Sequence, residues 1–152
     1  VIAPHVIDEN HLVEIIRKLK RPYVRYTRAD EKNVRKADCL IIDCFGLLSS
    51  IYRYGEIAYI GGGFGVGIHN TLEAAVYGIP VIFGPKYQKF QEAIQLLEAK
   101  GAFSVKDYEE LKTLLDRMLT DEVFLRESGM NASNYVTGNA GATDKIMSMI
   151  NF

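Results

Sequence analysis

The sequence predicts an α/β fold: a doubly wound parallel sheet of about six strands, with helices on both faces and a helical carboxyl-terminal tail. Two observations lead to this prediction. Short apolar runs alternate with helical patterns as far as Asp107, and every later pattern is helical. The strand runs are apolar throughout, which is typical of parallel strands buried on both faces, and such strands need crossover connections of helix length.

Six segments are predicted strands because they are short, apolar and rich in strand-forming residues. In chain order they are residues 1–3, 23–25, 40–43, 57–60, 80–83 and 102–105. Helical patterns lie between most of them and after the last, at residues 8–20, 47–54, 70–77, 88–100, 108–119, 121–136 and 141–150. The first helix has the clearest spacing, with Leu12, Ile15, Ile16 and Leu19 on one face.

Residues at the helix ends support these boundaries. Asp8 is a predicted N-cap, and Asp107 is another, with Glu110 three residues later to complete a capping box. Gly78 and Gly101 directly follow helical patterns, where a glycine in the left-handed conformation commonly ends a helix. These local signals agree with the alternation of strands and helices and so strengthen the predicted class.

The length of 152 residues predicts a single domain over residues 1–152. The 18 lysines and arginines against 19 acidic residues give no net field that would attract nucleic acid or an anionic membrane. The apolar runs are much shorter than the roughly 20 residues of a membrane span. Because the chain opens at Val1 with a strand-like run, we expect a fragment whose amino-terminal partner domain is missing.

The cysteines and histidines do not suggest a metal site. Cys39 and Cys44 have a spacing that suits neither a redox pair nor zinc, so we predict two buried free thiols in a reducing compartment. His69 has no further ligand type at a suitable spacing. We expect no metal and no cofactor.

The segment YIGGGFGVGIHNTLEAA, residues 59–75, carries five glycines within seven residues. It follows a predicted strand and opens a predicted helix, so it lies at the carboxyl edge of the sheet, where open α/β folds bind ligands. Glycines such as Gly62, Gly63 and Gly65 allow close approach to the backbone, and a helix beginning near His69 or Asn70 would favour a phosphate. The segment matches neither the dinucleotide fingerprint nor the Walker A pattern. A tight strand-to-helix connection is the alternative.

Three side chains extend this predicted site. Glu73 lies one helical turn after Asn70, where its carboxylate could accept two hydrogen bonds from a ribose diol. A first-turn glutamate that only suits the helix dipole is the alternative. His69 is predicted to cap the helix or contact a phosphate. His5, after Pro4, points to the same edge if the first strand is central, and is otherwise a turn residue.

Four stretches resemble the carboxyl-terminal half of the 3-deoxy-D-manno-octulosonic acid (Kdo) transferases in their order and spacing. They are IAPH (2–5), DCFGLLSSIYRYGEIAYIGGGF (43–64), GIHNTLEAAVYGIPVIFGP (67–85) and KFQEA (89–93). The resemblance implies one half of a GT-B fold, in which two Rossmann-like domains face a cleft. It also implies that the carboxyl-terminal domain holds the donor, CMP-Kdo.

The resemblance also implies a role for each matching position. Glu73 would bind the ribose together with Asn70, and the backbone of residues 62–67 would receive the phosphate. Phe45 and Gly46 resemble the segment that lies against the cytosine. Pro4 belongs to a loop that closes over the nucleotide, His5 takes the place of an expected arginine, and Lys86 is a candidate for the donor carboxylate. No catalytic residue is expected in this chain.

The implied function is donor binding in a glycosyltransferase that transfers Kdo to a lipid A precursor at the cytoplasmic face of the inner membrane of Gram-negative bacteria. Acceptor binding, membrane contact and the general base would belong to the missing amino-terminal domain, so the fragment alone is expected to be inactive. Two alternatives remain open. One is the UDP-sugar half of another GT-B enzyme, a transferase or an N-acetylglucosamine epimerase, and the other is a non-catalytic nucleotide-binding module.

Overall fold

The computed structural model describes residues 1–65 and 67–150, except for the side chains of residues 143–145. The chain divides into two compact units, Val1–Ile51 and Tyr52–Phe152, and each is described by itself. Short parallel strands alternate with helices along the chain, which confirms the predicted α/β class. No helix within the described ranges is both long enough and apolar enough to cross a bilayer.

The first unit is built on two parallel strands. Its elements are α1 (Glu9–Lys18), β1 (Tyr23–Arg25), a 3₁₀ turn (Tyr26–Arg28), α2 (Glu31–Val34), β2 (Cys39–Ile41) and α3 (Leu48–Ile51). In the β1–β2 pair Tyr23 lies opposite Cys39. Asp8 caps α1 as predicted, since its side chain accepts a hydrogen bond from the His11 amide at 3.0 Å. The short helix α2 has no counterpart among the predicted elements.

The second unit is built on a three-stranded parallel sheet in the order β3–β4–β5. Its elements are a 3₁₀ turn (Tyr52–Tyr54), β3 (Ala58–Tyr59), α4 (Leu72–Ala75), β4 (Val81–Phe83), α5 (Gln91–Glu98), β5 (Ala102–Ser104), α6 (Tyr108–Thr120), α7 (Glu122–Gly138) and α8 (Ala142–Met149). The central strand β4 is fully buried. This burial explains its uninterrupted apolar sequence.

The prediction of six strands in one sheet is wrong in number. The described residues contain five strands, two in one sheet and three in the other. The first predicted strand pairs through Ile2 alone: the Ile2 amide donates to the Leu40 carbonyl and the Ile42 amide donates to the Ile2 carbonyl, both at 2.8 Å. A single paired residue makes a bridge and not a strand.

Small residues let helix α7 lie close to the sheet connections in the second unit. A Cβ placed on Gly129 would clash with the Gly78 carbonyl oxygen, and one on Gly101 would come within 2.6 Å of the Ala132 backbone. Gly78 has the left-handed conformation predicted for it, with a φ of +71°, but it lies three residues after α4 ends at Ala75. At the next helix end the left-handed residue is Lys100, with a φ of 60°, and Gly101 instead provides room for Ala132.

Two further predictions need correction. Asp107 caps α6 as expected, through the Glu110 amide at 2.9 Å. The Glu110 carboxylate, however, accepts from the Lys106 amide at 2.9 Å, one residue before the position that a capping box requires. Cys39 and Cys44 are free thiols but are partly exposed rather than buried.

Candidate functional site at the glycine segment

The glycine segment in the second unit folds back on itself as a narrow hairpin after β3. The Gly63 amide donates to the Gly67 carbonyl at 2.6 Å, and the His69 amide donates to the Gly61 carbonyl at 3.3 Å. Gly62 and Ile68 form an antiparallel bridge between the two arms. Val66, inside the segment predicted to receive a phosphate, lies outside the described residues. The loop's own amides therefore supply part of its internal hydrogen bonding.

Internal packing accounts for three of the five glycines. Gly62 and Gly63 have φ values of +92° and +80°, a region that favours glycine. A Cβ on Gly63 would lie 2.7 Å from the Gly84 Cα, and one on Gly67 would lie 2.9 Å from the Phe90 ring. Gly65 is different, because it is exposed and a Cβ there would meet nothing within 4 Å. The tight-connection alternative thus explains much of the glycine content.

The segment after β4 is attached to this hairpin. The Lys86 amide donates to the Gly63 carbonyl at 2.8 Å, beside the Gly63–Gly84 backbone contact. The Lys86 side chain is exposed. The structure therefore brings Lys86 next to Gly63 at the carboxyl ends of β3 and β4, as expected for two parts of one ligand edge.

Asn70 and Glu73 are directly hydrogen bonded to each other. The Asn70 Nδ2 donates to Glu73 Oε1 at 3.0 Å, and Asn70 Oδ1 accepts from the Leu72 amide at 3.0 Å. Asn70 is exposed and Glu73 is half-buried, so neither is sequestered in the core. The side-chain amide of Asn70, which follows the hairpin in the chain, therefore orients the Glu73 carboxylate.

The helix that follows is shorter than predicted. It spans Leu72–Ala75 instead of residues 70–77. The side chain of Asn70 accepts from the Leu72 amide, one of the first amides of the helix, which have no acceptor within the helix. Four residues give a weak dipole and few unpaired amides, so little phosphate affinity comes from this helix end.

Tyr52 belongs to the surroundings of Glu73, although the sequence analysis did not single it out. Burial raises the pKa of the Tyr52 phenol, and the nearby negative charge of Glu73 raises it further. The ring packs against the core that contains Ile79 and Ala75. Tyr52 and Glu73 are far apart in the sequence and no periodic pattern relates them, so only the folded structure shows that they are neighbours.

His69 is the remaining predicted site residue of the second unit. His69 is exposed and joins the hairpin through its backbone amide. The described parts of the chain contain no cluster of three or more histidine, cysteine or acidic side chains that could hold a metal. A groove of about 700 Å³ lies along β5 and α6, lined in part by Leu97, Phe103 and Leu114, and contains none of the predicted site residues.

The first unit carries the other predicted residues. Pro4 is half-buried and His5 is exposed, in a bend that follows the Ile2 bridge. Phe45 is 80% exposed, and Gly46 has a φ of +86° with open space where a Cβ would be. These four residues flank the carboxyl ends of the paired segments in this unit, where the sequence placed them.

Asp43, two residues before Phe45, accepts three hydrogen bonds through its side chain. Its buried carboxylate accepts hydrogen bonds from Arg25 Nε at 2.7 Å, from the Thr27 amide at 2.9 Å and from Thr27 Oγ1 at 2.6 Å. Burial acts to raise the pKa of Asp43, but the hydrogen bonds from Thr27 and Arg25 outweigh it and lower the pKa from 3.8 to about 2. Asp43 is therefore ionised at neutral pH.

Comparison with known proteins places these features in a family context. No protein-family model matches the chain. The sequence is 42% identical over 87 residues to the 3-deoxy-D-manno-octulosonic acid transferase of Aquifex aeolicus, an alignment that covers 56% of this chain and 25% of the relative. It is 32% identical over 116 residues to the enzyme of the same name from Rickettsia bellii, covering 74% of this chain and 28% of the relative.

This chain is a homologue of Kdo transferases. The resemblance read from the sequence motifs is thereby confirmed. The chain spans about a quarter of the length of the curated Kdo transferases that it matches. Its fold is similar to the crystal structure of the C-terminal CMP-Kdo binding domain of WaaA from Acinetobacter baumannii, with a TM-score of 0.71 and 19% identity over 84% of this chain and 67% of that one. At this identity the likeness establishes the fold.

Proposed function

We propose that this chain binds CMP-Kdo and forms the donor-binding part of a glycosyltransferase that adds Kdo to a lipid A precursor. The observation that carries the proposal is the sequence relationship to Kdo transferases. The fold of a domain described as CMP-Kdo binding supports it. The geometry of the hairpin and of the Asn70–Glu73 pair is compatible with a nucleotide sugar at the carboxyl edge of the sheet.

In this proposal each predicted residue has one task. Glu73, oriented by Asn70, accepts hydrogen bonds from the ribose hydroxyls. Gly65 and the neighbouring backbone of the hairpin tip approach the phosphate, since a Cβ at Gly65 would meet open space. The remaining assigned residues are Gly62 and Gly63, which shape the hairpin, His69 beside the phosphate, Lys86 near the donor carboxylate, Phe45 and Gly46 against the cytosine, and Pro4 and His5 in a loop over the nucleotide.

Transfer itself needs groups that this chain does not supply in the proposal. A general base must lie within hydrogen-bond reach of the acceptor hydroxyl. We assign the base, the acceptor site and any membrane contact to another part of the transferase, and the reaction to the cytoplasmic face of the inner membrane. The chain of 152 residues alone is then expected to bind CMP without turning over CMP-Kdo, and turnover by the purified chain would contradict this.

The proposal is tested by isothermal titration of the chain with CMP, CDP and UMP. We expect CMP and CDP to bind more tightly than UMP. Replacement Glu73→Ala should weaken CMP binding by about 1.5 to 3 kcal/mol, because a charged hydrogen-bond acceptor is lost. The matched control is Glu109→Ala, which removes an exposed first-turn glutamate of α6 and should leave CMP binding unchanged.

The same titration distinguishes the alternatives. Preference for UMP would favour a UDP-sugar enzyme of the same fold. If the titration is extended to CMP-Kdo, binding of CMP but not of CMP-Kdo would favour a non-catalytic nucleotide-binding module. No binding of any of the three nucleotides would overturn the proposal. Equal loss of affinity in the Glu73 and Glu109 variants would show that Glu73 has no specific role in nucleotide binding.

A further inference from the structure

We propose that Asp43 is a positioning residue that holds the loop of Phe45 and Gly46 in the orientation needed to receive the nucleotide base. The proposal rests on the function proposed above, because it concerns the loop assigned to the cytosine. Asp43 contacts no ligand in this scheme. It acts through the backbone of the residues that follow it, and no motif of the sequence assigned it a role.

The loop itself has few contacts to fix it. Phe45 is 80% exposed, so its ring packs against little of the protein. A Cβ at Gly46 would meet nothing within 4 Å. Gly46 has a φ of +86°, and because glycine adopts positive and negative φ values about equally readily, its own backbone does not fix the loop. The orientation of this segment must therefore come from its two ends.

The carboxyl-terminal end of the loop is anchored by helix α3. The Leu47 carbonyl accepts hydrogen bonds from the Ser50 and Ile51 amides at 3.1 and 3.0 Å, and the Leu47 side chain is half-buried. The amino-terminal end is anchored by Asp43, whose side chain has no solvent exposure. Only three residues separate the two anchors, so a shift of either anchor moves Phe45 directly.

The Asp43 carboxylate joins the ends of two neighbouring strands. It lies two residues after β2, and its partners, Arg25 and Thr27, lie at the end of β1 and in the turn that follows β1. Arg25 in turn donates from Nη1 to both carboxylate oxygens of Glu9 at 2.8 and 3.0 Å, which links the start of α1 to the same cluster. Three elements therefore fix the position of one carboxylate.

An uncharged residue cannot replace this carboxylate. Both oxygens of Asp43 accept hydrogen bonds, one from Thr27 N and the other shared by Arg25 Nε and Thr27 Oγ1. In Asp43→Asn one oxygen is replaced by an amide donor. In one orientation that donor faces the Thr27 amide, and in the other it faces Arg25 Nε, which then loses its acceptor. The anchor then loosens while the volume of the side chain stays the same.

The test is a double-mutant cycle on CMP affinity, measured by calorimetry at a temperature well below each variant's unfolding midpoint. Phe45→Ala is expected to weaken CMP binding by about tenfold, the usual effect of losing an aromatic stacking partner. Asp43→Asn is expected to weaken it by a similar factor. If Asp43 acts through the loop, the double variant Asp43→Asn, Phe45→Ala should bind no more weakly than the weaker single variant.

The control is Asp38→Asn, which makes the same change just before β2 at an exposed aspartate paired with Arg21 at 3.6 Å. It should bind CMP as the unmodified chain does. A second variant, Thr27→Val, removes one hydroxyl donor and keeps the Arg25 pair. It should weaken CMP binding about threefold, as expected for one hydrogen bond, and it carries the test if Asp43→Asn does not fold.

The outcomes separate this inference from the proposed function. If the unmodified chain binds none of CMP, CDP and UMP, both are overturned. If the unmodified chain prefers CMP but Asp43→Asn, or a folded Thr27→Val, binds it equally well, only the positioning role is overturned. Fully additive losses in the double variant would also overturn it, because they would show that Asp43 affects CMP binding independently of Phe45.

Discussion

The glycine hairpin of the second unit and the Phe45 loop of the first are held in position by different physical means. The hairpin is fixed by backbone contacts, with Gly63 packed against Gly84 and bonded to Gly67 and Lys86. The Phe45 loop is fixed by a buried side-chain charge at Asp43. The close backbone packing of the hairpin leaves no room for an added side-chain atom, and it does not depend on pH. The charged anchor at Asp43 leaves the Phe45 loop loosely packed, and its stabilising effect depends on the ionisation of the carboxylate.

The largest expected effect comes from a substitution that disrupts the backbone packing of the hairpin. Gly63→Ala would force a Cβ to within 2.7 Å of the Gly84 Cα at a φ of +80°. We expect it to lower the free energy of unfolding by about 3 kcal/mol or more, because strain and a backbone clash add. Urea denaturation measures this loss.

Gly65→Ala is the matched control in the same hairpin, since its Cβ would meet open space. It should change the free energy of unfolding by less than about 1 kcal/mol. Equal effects at the two positions would show that the close Gly63–Gly84 approach does not stabilise the hairpin.

The next effect tests the charged anchor through pH. The pKa of Asp43 is lowered to about 2 from 3.8, so the folded state gains stability from its ionised form above about pH 4. That gain, about 2 kcal/mol at 1.36 kcal/mol per pKa unit, should disappear as the pH falls from about 4 to about 2. Asp43→Asn should be less stable than the unmodified chain at pH 6 and similar to it at pH 2.

Urea denaturation at a series of pH values provides this measurement, with Asp38→Asn as the control at an exposed aspartate. The stability difference between Asp43→Asn and the unmodified chain must narrow as the pH falls. A difference that stays constant from pH 6 to pH 2 would mean that packing, and not ionisation, holds this anchor.

The smallest expected effect concerns Lys100, where a residue other than glycine has a left-handed backbone conformation. Lys100 has a φ of 60°, and the neighbouring Gly101 is the residue that must lack a side chain. Lys100→Gly should raise the free energy of unfolding by up to about 1 kcal/mol, because the left-handed strain is removed. Thermal unfolding would detect this as a small rise in midpoint, and a fall would contradict it.

The glycine positions illustrate how far the sequence predicts the site. A run of five glycines between a strand and a helix was visible without a structure, and so was the Asn70–Glu73 spacing. Whether a given glycine serves a ligand or the protein was not visible, because it depends on distances to distant residues such as Gly84 and Phe90. The roles of the predicted contact residues stay predictions until nucleotide binding is measured.

The fold shows the same division. Local signals predicted β1 and the Asp8 and Asp107 caps, since these depend on neighbours in sequence. They failed for the first predicted strand, where only Ile2 finds a partner, and for the length of α4, which spans Leu72–Ala75 instead of residues 70–77. The pairing of Ile2 depends on Leu40 and Ile42, far along the chain, and no local pattern records it.

The sequence by itself determined the α/β class, the order of strands and helices and the kinship with Kdo transferases, because periodicity, caps and motif spacing are properties of neighbouring residues. Only the tertiary structure decided that Asp43 is buried among Arg25 and Thr27, and that Tyr52 lies near Glu73. The reason is that burial and charge pairing bring together residues 16 to 21 positions apart along the chain. Such separations leave no repeating signal in the sequence.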